Sequence, residues 1–109
     1  MAFLEINNNG TLNSTTPVTV VAAPAASTRR LLKNLVFYNA DTASVTLTIN
    51  YVHGANTRIL KRVTITTLDT YVWEPMLVLD ATNKSLTAVL AGAITTTQPD
   101  FVSNYADVT

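Results

Sequence analysis

The segment from Ser44 to Tyr51 constrains the fold more than any other part of the chain. Its sequence is SVTLTINY, in which every second residue from Val45 onward is apolar and the residues between are Thr or Asn. A period of two puts alternate side chains on opposite faces of a β-strand. The segment therefore predicts a strand with one face on a core and the other face in water.

Two neighbouring segments extend this strand to a predicted antiparallel meander from Arg29 to Thr66. Residues 29–39 (RRLLKNLVFYN) are apolar on both faces, which is typical of a strand that is central or covered by another subunit. We expect Leu31, Leu35 and Phe37 on one of these faces. Residues 57–66 (TRILKRVTIT) form the third predicted strand, and the whole meander is expected to build one half of a sandwich.

The remaining segments predict further short strands. Val18–Ala22 is a strand that Pro24 ends, because proline cannot donate to a ladder. Met76–Leu79 and Leu86–Ala91 are predicted to pair as a hairpin, and residues 101–109 are a predicted terminal strand. Seven or eight short strands separated by turns, with no helical periodicity, predict an all-β fold: an antiparallel β-sandwich with jelly-roll-like connections.

The first sixteen residues differ in character from the rest of the chain. We expect an N-terminal arm, residues 1–16, in front of a single sandwich domain, residues 17–109. Asn9-Gly10 is turn chemistry, since both residues tolerate positive φ. Two alternatives are open for the arm: a segment that orders only against a neighbour, or a docked strand.

Composition narrows the functional classes. The 109 residues are 48% hydrophobic and 13% charged, which excludes intrinsic disorder, and they form one domain by length. The formal net charge is zero, and such a low charge favours a subunit of an assembly over a free monomer. Cys is absent, which excludes disulfides, thiolate metal sites and a Cys nucleophile.

Targeting signals are not recognisable. Residues 18–26 (VTVVAAPAA) resemble the apolar core of a signal peptide, but no basic residues precede them. No stretch approaches the roughly 18 apolar residues of a membrane helix. We therefore expect a chain made in the cytoplasm, without a signal peptide, a transmembrane segment or a membrane partner.

Catalytic and metal-binding patterns are also not recognisable. The one histidine, His53, lies in a predicted turn beside Gly54, and most acidic residues fall in predicted turns or at strand ends. A metal or catalytic site needs several convergent groups. The sequence predicts a protein that is not an enzyme and binds no cofactor or metal.

The basic residues are the more informative charges. Six of the seven lie in the meander, in two clusters, whereas most acidic residues lie after Thr66. Three interpretations are open: complementary charge toward an acidic neighbour, protection of an edge strand, and a nucleic-acid patch, against which the zero net charge argues. Trp73, before Glu74-Pro75, is a candidate interface anchor. The predicted partner-binding residues are Arg29, Arg30, Lys33, Arg58, Lys61, Arg62 and Trp73.

The order of these features resembles small structural proteins of tailed-bacteriophage virions. The resemblance covers about residues 17–92: TPVTVVAAPAASTRRLLKNLVFYNADTASVTLTI, a Gly-containing hairpin, RILKRVTITTLDTY and MLVLDATNKSLTAVLAG. It implies a non-enzymatic β-sandwich located in the virion, as a capsid decoration (cement) subunit or a neck or tail accessory protein. The implied partners are other virion proteins, including the major capsid protein, and further copies in a homo-oligomer. The arm and residues 101–109 are expected to reach those neighbours.

A carbohydrate-binding module for host attachment is the alternative from another class. Five aromatic residues, among them Tyr71 and Trp73, provide the rings on which a sugar could stack. This hypothesis requires Tyr71 and Trp73 to be exposed beside a groove.

Overall fold

The structure is a computed structural model that describes residues 2–109, and these residues form nine β-strands in two stacked antiparallel sheets. The strands are β1 (Phe3–Thr11), β2 (Val18–Val21), β3 (Arg29–Tyr38), β4 (Val45–His53), β5 (Asn56–Ile65), β6 (Thr70–Trp73), β7 (Leu77–Leu79), β8 (Lys84–Leu90) and β9 (Asp100–Val108). Within residues 2–109, no helix has the length and apolarity needed to cross a membrane.

The order of the strands in the two sheets pairs early strands of the chain with late ones. Sheet I has the order β1-β9-β3-β6, with β7 also paired to β3, and sheet II has the order β2-β8-β4-β5. The first strand thus pairs with the ninth, the second with the eighth, and the fourth with the fifth. Strands from the two ends of the chain lie side by side in both sheets, as in a jelly roll. The predicted all-β, jelly-roll-like sandwich is confirmed, with β6 and β7 as two pieces of one interrupted edge.

The predicted pairing of individual strands is wrong in two places. β3 lies in sheet I, whereas β4 and β5 form a hairpin in sheet II, so residues 29–66 are not a three-stranded meander. Likewise β7 pairs with β3 in sheet I and β8 pairs with β2 and β4 in sheet II, so they form no hairpin. In both cases the connection crosses from sheet I to sheet II. Two sheets that pack face to face bury the apolar face of each, and consecutive strands can contribute to either sheet.

A bulge in β3 corrects the predicted faces of this strand. The register with β9 shifts between Leu32 and Asn34, so Lys33 is an extra residue. Before the bulge Leu32 points into the core, and after it Leu35 and Phe37 do so. Leu31 therefore faces outward and does not share a face with Leu35.

The core lies between the sheets and is mainly aliphatic. Its rings are Phe37, Phe101 and Tyr105, and the centroids of Phe37 and Phe101 are 6.5 Å apart. Alternation in β4 is confirmed for the inner face, because Val45, Leu47 and Ile49 all point inward. The prediction that the other face lies in water is wrong for Thr48 and Asn50, which are buried on the outer face of the sheet. The buried apolar residues are Leu12, Val20, Val21, Leu32, Leu35, Phe37, Val45, Leu47, Ile49, Ile65, Leu79, Leu86, Ala88, Leu90, Phe101, Tyr105 and Ala106.

The two termini of the described chain lie next to each other in sheet I. β1 pairs with β9 along all nine of its residues, and Asn9-Gly10 is part of this strand and not a turn. Gly10 is required by packing, since a Cβ there would lie 2.9 Å from Cε1 of Phe101. β9 itself is an interior strand between β1 and β3. The expectation that this segment extends away from the sandwich toward a neighbour is therefore wrong for residues 101–108.

Candidate docking surface

The outer faces of the two sheets differ in polarity. The outer face of sheet II is rich in threonine, and its side chains bond to one another: Thr46 Oγ1 lies 3.3 Å from Thr64 Oγ1, and Arg62 Nε donates to Thr48 Oγ1 over 3.2 Å. The outer face of sheet I instead carries two apolar rows across its strands. These rows are Val72–Val36–Val102 and Val78–Leu31–Ala106. Sheet II also exposes Ile59 and Leu60, but both lie on its edge strand β5. Sheet I is the sheet whose apolar residues form rows across several strands.

A groove of about 420 Å³ lies on this outer face, and we call it the outer groove. It is lined by Phe3, Leu31, Leu32, Lys33, Met76, Leu77, Val78 and Ala106. The side chains of Met76 and Phe3 are 87% and 62% exposed, so they hold apolar surface in solvent. Contiguous exposed apolar surface of this kind marks an interaction site.

The backbone at Met76 adds a second observation. Its φ is 53°, in the left-handed region that costs a non-glycine residue about 1 kcal/mol or more. Met76 follows Pro75 in the break between β6 and β7, opposite the bulge at Lys33. The fold thus carries a strained backbone at the most exposed apolar side chain of the groove.

Three asparagines form a hydrogen-bonded row across sheet I, between the two apolar rows. Asn7 Nδ2 donates to Asn104 Oδ1 over 2.9 Å, and Asn104 Nδ2 donates to Asn34 Oδ1 over 2.7 Å. This asparagine row runs from β3 through β9 to β1. It ends at Asn7, on the edge strand of the sheet.

The three basic residues of β3 have different surroundings. Arg29 is exposed and shares a cross-strand row with Val108 and Phe3, beside the outer groove. Lys33 lines the groove and pairs with Glu5 on β1. Arg30 is turned inward and pairs with Asp107, so its charge is used within the fold.

The basic residues of β5 lie apart from those of β3, in the other sheet. Arg58, Lys61 and Arg62 are exposed on an edge strand, and within residues 2–109 none of them forms an ion pair. The two clusters that the sequence placed in one meander therefore do not form one patch.

Trp73 and Tyr71 lie on the inner side of β6. They pair with Leu35 and Phe37 of β3, whose side chains are buried, and both rings are half-buried against the core. The two rings do not form an exposed platform. This placement does not give the geometry that stacking on a sugar requires.

The histidine and the acidic residues of the described chain, residues 2–109, form no metal-binding cluster. His53 is exposed at the end of β4, with its ring centroid 6.4 Å from that of Tyr51. Among residues 2–109 no three His, Asp or Glu side chains are close enough to hold a metal ion together. What the surface of sheet I offers chemically is apolar contact, a row of amides and an exposed cation.

No protein-family model matches the chain, and no curated protein matches it. Structural comparison finds similar folds. A chain from Bacillus endospore appendages, described as a novel family of disulfide-linked pili, has a TM-score of 0.57 and 11% identity, and the match covers 99% of this chain and 87% of that one. PirA has a TM-score of 0.57 and 15% identity over 90% and 92% of the two chains.

A viral protein has a similar fold. A chain from infectious bursal disease virus, strain Gx, has a TM-score of 0.56 and 11% identity, and the match covers 97% of this chain but 32% of that one. The present chain thus spans about a third of the viral chain. At these identities the comparisons show a shared β-sandwich fold. Because the 109 residues contain no Cys, they cannot form the disulfide links named for the pili.

Proposed function

We propose that the protein is a non-enzymatic structural subunit of a tailed-bacteriophage virion, and that it decorates the capsid as a cement subunit. The observation that supports this most directly is the outer groove, with Met76 exposed on a strained backbone. A surface that lowers the stability of the free chain is retained when it stabilises an assembly.

The chemistry of the groove defines the partner. It fits an apolar loop of a shell subunit with a carboxylate beside it, because Arg29 is exposed at the groove and forms no ion pair within residues 2–109. The nearby Asp80 is already paired with Lys84, whose Nζ lies 2.6 Å from its Oδ1. Arg29 is thus the basic residue of β3 that we assign to the partner.

Docking of this kind needs no covalent bond. Burying an exposed side chain the size of Met or Phe contributes about 1.5–3 kcal/mol, or roughly ten- to hundredfold in affinity per residue. A rigid sandwich that binds two adjacent shell subunits in this way resists their separation. A subunit in the neck or tail would dock through the same surface, and it would be present in fewer copies per virion than a capsid decoration subunit. The inward placement of Trp73 does not favour the carbohydrate-binding alternative.

Binding to particles that lack the subunit tests this function. We expect wild-type chain to saturate such particles in a co-sedimentation assay, and Met76→Glu to bind at least tenfold more weakly, because the charge would be buried against apolar surface. Leu68→Glu is the matched control, since Leu68 is 68% exposed, has a φ of 59° and lies outside the groove. Equal binding of wild type and Met76→Glu would contradict the proposed surface.

A further inference from the structure

Three of the four sheet edges in this sandwich resist pairing with another strand. β2 has four residues and lies between Pro17 and Pro24, and the edge formed by β6 and β7 is interrupted at Pro75. β5 carries three positive charges and a register shift opposite Ile49 and Asn50. Short length, proline, charge and bulges are the features that keep an edge strand from adding a neighbour.

β1 lacks the short length, the proline and the bulge that protect the other edges. It is nine residues long, contains no proline and pairs with β9 without a register shift. Its one charge, on Glu5, is matched by Lys33 of the same chain. In the described part of the chain, no strand lies along its other side. Such an edge is a template for strand addition.

We propose that β1 pairs with β1 of a second copy of this chain, antiparallel, around a two-fold axis through Asn7. Only this register overlaps all nine residues of both strands, because Asn7 is the midpoint of Phe3–Thr11. Sheet I then continues from one copy into the other. An interface of this type is isologous, which is the commonest arrangement in homo-oligomers.

The asparagine row identifies the second copy as the occupant. Asn7 donates one Nδ2 proton to Asn104, which leaves its second proton and its Oδ1 available at the edge. These are the two groups with which an amide pairs with an identical amide. The row Asn34–Asn104–Asn7 then continues through the axis into the same three residues of the second copy, as asparagine ladders do in stacked sheets.

The other opposed residues of this register are compatible. Glu5 lies opposite Asn9, so the two glutamates of the pair do not face each other, and Phe3 lies opposite Thr11. Leu4, which is 61% exposed, lies opposite Gly10, where there is no side chain. Like charges directly opposite would destabilise the pairing, and this register has none.

Disulfide trapping tests the register, because the native sequence has no Cys. In an antiparallel pair the Cα atoms of opposed residues are about 4.5–5.5 Å apart, which a disulfide can span. We expect Asn7→Cys to form a covalent dimer under mild oxidation, at least tenfold faster than the control Asn9→Cys. The two residues 9 would be about 14 Å apart in this register. No trapping of Asn7→Cys, or trapping no faster than Asn9→Cys, would overturn the proposal.

Charge swapping gives an independent readout by sedimentation of the purified chain. We expect wild-type chain to dimerise, Asn7→Lys and Asn7→Asp each to be monomeric, and an equimolar mixture of the two variants to dimerise again. Asn7 is exposed, so both variants should keep the fold. Wild-type chain that stays monomeric, or an unaffected Asn7→Lys dimer, would refute the pairing. The pairing does not depend on docking to a particle, which is tested with particles and a different surface.

Discussion

Arg30 binds Asp107 through two hydrogen bonds across the β3–β9 ladder: Nε donates to Oδ1 over 2.8 Å and Nη2 donates to Oδ2 over 3.0 Å. Nη1 donates to the carbonyl of Ala22 over 2.7 Å, and the guanidinium lies 4.4 Å from the ring centroid of Tyr105. The hydrogen bond with Asp107 raises the pKa of Arg30. One side chain thus joins the segment after β2 to two strands of sheet I.

Replacing Arg30 by Lys should destabilise the fold, although the charge is kept. Lysine cannot form the bidentate pair and also reach the carbonyl of Ala22, and hydrogen bonds to charged groups contribute about 1.5–3 kcal/mol. We expect Arg30→Lys to lower the free energy of unfolding by about 2 kcal/mol in urea titrations. The control Arg29→Lys, at an exposed site, should change it by less than about 0.5 kcal/mol. Equal effects at both positions would contradict this role of Arg30.

Asp41 connects two loops at the opposite end of the sandwich. The residue is 2% exposed, and its carboxylate accepts hydrogen bonds from the backbone N–H groups of Thr95, Thr96 and Thr97, at 2.8, 2.7 and 3.2 Å, and from that of Thr42 at 2.9 Å. These bonds, the one from Thr95 first, hold the pKa of Asp41 well below its ordinary value.

Stability should therefore fall at acidic pH because of Asp41. The unfolded chain, in which an Asp has a pKa near 3.9, binds the proton first as the pH falls. The contribution of Asp41 is complete above about pH 5 and is lost as the pH falls from about 4 toward the folded pKa. Thermal unfolding between pH 7 and pH 3 should show this loss in wild type and a smaller one in Asp41→Asn. The same acid dependence in both proteins would refute the assignment.

Ser103 is a buried polar residue whose hydroxyl group has no hydrogen-bond partner within residues 2–109. It is 0% exposed on β9, opposite the buried Leu35, and within residues 2–109 its Oγ has no hydrogen-bond partner. A buried, unpaired hydroxyl costs about 1–3 kcal/mol. Ser103→Ala should therefore raise the free energy of unfolding by about 1 kcal/mol in urea titrations. A loss of stability would show that the hydroxyl is satisfied.

Variants at Met76 and Leu68 distinguish the effect of backbone strain on stability from the effect of the side chain on binding to particles. Both have positive φ values, which glycine adopts without steric strain. Met76→Gly and Leu68→Gly should each stabilise the free chain by about 0.5–1 kcal/mol, because the relieved strain exceeds glycine's larger loss of backbone entropy. Only Met76→Gly should weaken binding to particles, because only Met76 lines the outer groove. Calorimetry of the free chain and co-sedimentation with particles measure the two effects. Unchanged docking of Met76→Gly would show that its side chain is not used.

Local pattern predicted most of the strands from β2 onward, whereas β1 and the pairing of strands distant in sequence were not predictable from it. The alternation from Val45 to Tyr51 predicted the inward face of β4, because a period of two residues is a local property. The sheet to which β3 belongs depends on its pairing with β9, some seventy residues later in the chain. The bulge at Lys33 has no local signal, so the faces of β3 could not be assigned from the sequence.

The candidate surface was only partly predictable for the same reason. The positions of the basic residues in the sequence placed them on β3 and β5. They could not show that the side chain of Arg30 turns inward toward Asp107. The asparagine row joins Asn7, Asn34 and Asn104, which are brought together by the register of three strands alone. Pro75 signals the break beside Met76, whereas neither the left-handed backbone of Met76 nor its exposure has a signal in the sequence.

The number of copies of this chain per purified virion tests the central claim most directly. Quantitative mass spectrometry against isotope-labelled peptides would give its ratio to the major capsid protein. A capsid decoration subunit predicts a fixed ratio close to a small whole-number fraction, and therefore many copies per particle. A few copies per particle would contradict decoration and favour a neck or tail position, and absence from purified virions would contradict a virion role altogether.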